Sequence, residues 1–100
     1  QRYNYHGKNI RDGMRDALIE LYGDHAEDGL LFADGLDDAL VGICPNSLRL
    51  VYSRTKVIEV FIQDDGMTEQ DAVEYAEHNT FSAYVGNQTP IFIDDLKYNL

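Results

Sequence analysis

LLFADGLDDALVGIC, residues Leu30 to Cys44, runs from an apolar entry through an acidic turn to an apolar exit, with Gly35 and Gly42 at the bends. Leu30 to Ala33 has the length of a short strand. Asp34 to Asp38 reads as a turn, because Asp bonds its own backbone there and Gly35 supplies a positive φ. Ala39 to Cys44 is a nearly continuous apolar run, the pattern of a central strand. Pro45 and Asn46 end it. Leu48 to Ser53 then alternates apolar and polar residues, which predicts a second strand paired to the first as a hairpin.

Upstream, Met14, Ala17, Leu18, Leu21 and Tyr22 form one apolar stripe and predict a helix over Asp12–Gly23. Asp12 suits its cap, and Gly23 suits the left-handed position at its end. Residues 1–12 carry two tyrosines and no apolar period. They read as an N-terminal arm, with a short strand around Tyr3 to Tyr5, ahead of a single domain over 13–100. His6 has no partner at ligand spacing, and Asp24 to Gly29 is a polar connection.

Downstream, the β-branched run KVIEVFI favours a strand. Yet Val57, Ile58, Phe61 and Ile62 also make a helical stripe, with Ser53 as a cap. Asp64 to Gly66 breaks the chain. Thr68 then opens another helix, with Asp71 at the capping-box position and Met67 placed to staple onto Ala72. That helix ends near His78 and Asn79. GNQTP, residues 86–90, is a turn, and Ile91 to Ile93 follows Pro90 as a short strand. The expected fold is α+β: a small, mostly antiparallel sheet of three to four strands with about three helices on one face.

At 100 residues and 44% apolar content, the chain has material for one packed core. No apolar run approaches the roughly 18 residues of a membrane span, and no signal-peptide pattern is visible. The chain opens on Gln1 rather than Met, which suggests trimming, and Met14 is an alternative start. Eighteen acidic against eight basic side chains give a net charge of −10. That balance opposes direct contact with nucleic-acid phosphates, which needs Lys and Arg. It admits metal cations or a basic protein surface as partners. A lone Cys44 beside Pro45 reads as a small buried side chain in a reducing compartment.

FADGLDDALVG (32–42), VYSRTKVIEVFI (51–62), DGMTEQDAVEYAEHN (65–79) and AYVGNQTPIFI (83–93) together resemble a small protein family widespread in tailed phages and prophages. The resemblance covers about residues 31–93. In that family the segment matching Val51 to Gln63 is more helical, with Tyr-Asp-Tyr-Asp ahead of an Ile-Glu-Ile-Leu type run. The resemblance therefore implies a helix over 54–63. Here Ser53, Arg54 and Thr55 depart from the acidic pair, so no role of those acids carries over. It further implies a phage accessory gene expressed in the bacterial cytoplasm, and it transfers no catalytic residue.

Four groups of residues are candidates for chemistry. Asp34, Asp37 and Asp38, joined by Glu27 or Asp28, offer oxygen ligands for Mg²⁺ or Ca²⁺, though not at EF-hand spacing. A metal-dependent hydrolase built on them requires further acids, such as Glu74 or Asp94. His78 with Asn79 and Glu74 one turn earlier make a second group. Tyr84 to Pro90 supplies adaptable hydrogen-bonding side chains. Last, Asp64, Asp65, Glu69, Asp71, Glu74, Glu77, Asp94 and Asp95 offer a negative face that can occupy a basic groove in imitation of nucleic acid. The leading expectation is a non-enzymatic, cofactor-free protein that binds a host protein, as an inhibitor of a defence or nucleic-acid-processing enzyme. Asp71, Glu74, Glu77, Asp94, Asp95 and Tyr84 are its expected contacts. The alternatives are the metal-dependent hydrolase or nucleotide-binding protein, and a virion or structural subunit packing through exposed Tyr and Phe, a homodimer included.

Overall fold

The computed structural model describes residues 13–26 and 29–98. The expected arm over 1–12, with its Tyr3–Tyr5 strand, His6 and the Asp12 cap, lies outside them, as do Glu27 and Asp28.

The predicted hairpin is present: β1 (Leu40–Cys44) pairs antiparallel with β2 (Arg49–Ser53). Its connection closes when Leu48 N–H donates to the Cys44 carbonyl at 2.8 Å. Leu48 takes φ 60° there, a left-handed conformation that costs a non-glycine residue free energy. Between the pairs Leu40↔Tyr52 and Gly42↔Val51 the register slips, leaving Val41 as the extra residue of a bulge.

β3 (Ile91–Ile93) lies on the other side of β2, from Val51↔Ile91 to Ser53↔Ile93, and it runs parallel to it. The sheet is therefore mixed, in the order β1-β2-β3, rather than mostly antiparallel. Parallel neighbours need a long crossover. Residues 54–90 provide one, with helices in it. Leu30–Ala33 is not a strand. Its extended backbone is held by Ala33 N–H donating to the Tyr52 phenol oxygen at 2.8 Å, and a turn from Ala33 to Leu36 then bends it away.

Helix α1 (Met14–Tyr22) follows its apolar stripe. Gly23 does not reverse the chain as expected. Its φ is −57° and its N–H bonds the Ile19 carbonyl, so the helix tightens into a short 3₁₀ turn instead. The ambiguous run is helix α2 (Arg54–Asp64): Ser53 Oγ accepts from Lys56 N–H, and Val57, Ile58 and Phe61 turn inward. The cap and the helical stripe outweigh β-branched propensity. Helix α3 (Glu69–Tyr75) starts at Thr68, whose hydroxyl accepts from Asp71 N–H at 3.1 Å. Beyond Tyr75 it widens into a π-helical turn over Ala76–Thr80.

One core unites these elements: Leu18 of α1, Leu50 and Tyr52 of β2, Val57, Ile58 and Phe61 of α2, and Ala72 with Ala76 along α3. Val57 and Ile58 are fully buried. Each contributes about 1.5–3 kcal/mol by leaving water. Ala72 and Ala76 are fully buried on the inward face of α3 and its extension, which lets that helix sit close to the core. The result is an α+β domain of three helices and a three-stranded sheet. Among the described residues, no helix is long and apolar enough to cross a membrane.

Candidate functional site

The turn after Ala33, the π-helical turn and the loop before β3 enclose a groove of about 370 Å³. That volume lies at the small end of ligand pockets, which run to about 1,000 Å³. Phe61 and Phe92 form its inner wall, and Leu31, Tyr75 and Val85 stand at its outer edge. These three keep 37%, 46% and 61% of their surface in water, so the edge is apolar yet uncovered. Tyr75 packs its ring edge-on against Phe61, with centroids 5.2 Å apart.

Local sequence explains each lip. Gly35 holds φ 75° in the turn that carries Asp34 to the groove, and no side-chain carbon is accommodated there without strain. Gly86, at φ 108°, starts the opposite lip. In that loop Thr89 Oγ1 donates to the Gly86 carbonyl at 2.6 Å and accepts from Val85 N–H at 2.9 Å. Gln88 Nε2 donates to the Leu48 carbonyl, and Arg49 Nε to the Thr89 carbonyl, which ties the loop to the hairpin. The lip bearing Val85 is preformed.

The π-helical turn adds Asn79 and Thr80 to the groove. Wide turns of this kind recur at functional sites, because the extra residue displaces side chains from ordinary helical positions. Asn79 spends its amide N–H on the Tyr75 carbonyl at 3.1 Å, which leaves its Oδ1 as an acceptor.

The predicted contact residues divide. Asp71, Glu74 and Glu77 lie on the exposed side of α3 and its extension, on the helix that also carries Tyr75 and Asn79 to the groove. Tyr84, 75% exposed, is next to Val85. Asp94 accepts from Leu96 N–H at 2.9 Å in a local turn. Asp95 is committed to the fold. Its carboxylate accepts from Ser53 Oγ at 2.6 Å and from Thr55 N–H at 3.1 Å, over the start of α2. Partial burial works against the charged form, but the Ser53 and Thr55 donors outweigh it and hold the carboxyl at about 2. The Thr55 hydroxyl faces the same carboxylate without a formal hydrogen bond.

The acidic turn likewise separates. Asp37 accepts both Arg15 Nη1 contacts, at 3.0 and 3.2 Å, while the Arg15 guanidinium lies 4.3 Å from the Phe32 ring centre. Asp34 lines the groove and Asp38 faces Lys56 across another depression. Among the described residues no three His, Cys, Asp or Glu side chains come together as a metal site. His78 and Glu74 are both exposed, and the His78 carbonyl accepts from Ser82 Oγ. Cys44 is free and half-buried rather than buried.

Sequence reasoning missed Leu31 and Tyr75 as site residues, whereas Asn79 and Val85 fall in two of its candidate groups that the groove brings together. Leu31 reads as part of a short strand and Tyr75, three residues after Ala72, as part of the inward stripe, so the pattern marks neither as exposed. Fold and site together define a small acidic α+β domain with an apolar groove beside a negatively charged helix face. Comparison of the chain with protein-family models, curated proteins and solved structures gives no match.

Proposed function

We propose that this chain is a phage-encoded, non-enzymatic binding protein that acts on a host protein in the bacterial cytoplasm, and that it inhibits a defence or nucleic-acid-processing enzyme. The single observation that supports this most is the composition of α3. Glu69, Asp71 and Glu74, with Glu77 on its π-helical extension, are exposed on the short helix that presents Tyr75 to an open apolar groove. Charge of one sign steers a basic partner, and an uncovered aromatic beside it supplies the contact that retains the partner. A surface evolved only for solubility has no need of the second feature.

Affinity capture from host lysate at low and high salt tests the reading, with wild type, a Glu74→Lys/Glu77→Lys variant and an Asp16→Lys control. The expected result is one stoichiometric partner that high salt or the α3 reversal releases and the α1 control does not. Capture that ignores both salt and the reversal, or no partner at all, overturns it.

A further inference from the structure

Arg15 shows how this fold seats a guanidinium. It lies over the Phe32 ring and reaches Asp37 with two contacts, so an aromatic face and a carboxylate share one cation. Arg54 repeats half of the arrangement, 4.6 Å from the Phe81 ring centre with Nε on the Phe92 carbonyl. In the groove the same two components recur, Tyr75 and Asp34, without a cation. No Lys, Arg or His among the described residues lines it. Its remaining polar atoms include the Asn79 Oδ1 acceptor and the Thr80 hydroxyl, and Asp34 has no hydrogen bond or ion pair among the described residues.

We infer that this groove receives an arginine or lysine side chain from a segment of a protein partner. The stem lies along Leu31, Tyr75 and Val85, and the charged head meets Asp34 and Asn79. Long basic side chains bury their methylenes on apolar surface while keeping the charge at a polar edge. An aromatic face adds cation–π attraction, and a carboxylate adds a charge-assisted hydrogen bond. An anionic occupant is repelled by Asp34, and a purely aliphatic one gains nothing from it. This assignment rests on the binding-protein reading above and names the chemistry of its partner. The outer acids of α3 bring a basic segment close, and the groove selects one of its side chains.

Amide chemical-shift mapping of the full chain tests this with a capped Gly-Gly-Arg-Gly-Gly peptide and its citrulline counterpart, which keeps the shape and loses the charge. The arginine peptide is expected to shift Leu31, Asp34, Tyr75, Asn79 and Val85 saturably. Citrulline, or Asp34→Asn in the protein, is expected to weaken binding about fivefold or more. Shifts confined to outward acids such as Asp16 or Glu69, or equal affinity for both peptides, overturn the inference. The two readings fail separately. If lysate capture is lost in Glu74→Lys/Glu77→Lys but persists in Asp34→Asn while peptide mapping misses the groove, the binding face stands and the side-chain receptor does not. Capture indifferent to the α3 reversal removes the broader reading.

Discussion

Asp37 and Asp95 are carboxylates that the fold uses, whereas Asp34 and the acids along α3 are carboxylates that the fold leaves to solvent. Asp37 joins α1 to the acidic turn through Arg15, and Asp95 closes the N-terminus of α2 together with Ser53. Three residues before Asp37, Asp34 stands at an apolar groove with no such tie among the described residues. Both sets are carboxylates of the same charge. What separates them is whether the fold brings a donor to the carboxylate. The Arg15 guanidinium does so for Asp37, and the Ser53 hydroxyl with an open helix end does so for Asp95, whereas the outward side of a helix offers no backbone donor. Among the described residues the acids thus include one group tied into the fold and another left to solvent.

Asp95→Ala is the largest expected break in that comparison. It removes the contacts to Ser53 and Thr55, and a helix cap of this kind is worth about 1–2 kcal/mol. For a domain of this size that is a fall in melting temperature of roughly 5–10 °C. Asp94→Ala, one residue away, should change it by much less.

Acid pH sharpens the same point. The folded Asp95 carboxyl sits at about 2, below its ordinary value of 3.8. Its contribution is therefore complete above the unfolded value and fades as pH falls toward 2. After allowance for solvent screening at an exposed carboxylate, the gap between wild type and Asp95→Asn attributable to this charge is about 1 kcal/mol near neutrality. Chemical denaturation of both proteins across pH 2–7 should show that part of the gap closing below roughly pH 4.

The Arg15–Asp37 pair is weaker, because both side chains are about half in water. A double-mutant cycle with Arg15→Ala and Asp37→Ala should give a coupling of about 0.5 kcal/mol that shrinks in high salt. Asp34→Asn is the smallest in stability, within about 0.5 kcal/mol of wild type in thermal melts. A large loss there would place Asp34 with the structural acids and dissolve the contrast.

Parts of this were legible in the chain. Alternation in Leu48 to Ser53 and the Pro45-Asn46 break specify the hairpin, and the Met14–Tyr22 stripe specifies α1. KVIEVFI is ambiguous on its own residues and only the family resemblance implies a helix, which is present with Ser53 as its cap. Direction was not legible for β3, because three apolar residues read the same either way and the crossover decides. Nor did Asp95 announce its role, since Ser53 is 42 residues away in the chain. The groove was hidden for the same reason. Leu31, Tyr75 and Val85 come from a coil segment, a helix and a loop, and only the tertiary fold makes them one edge.

The most direct test of the account pairs stability with binding in one variant, Glu74→Lys/Glu77→Lys. If these acids serve a partner and not the fold, the melting temperature stays within a few degrees of wild type while salt-sensitive capture of the host partner is lost. A variant that binds as wild type does, or that unfolds, would contradict it.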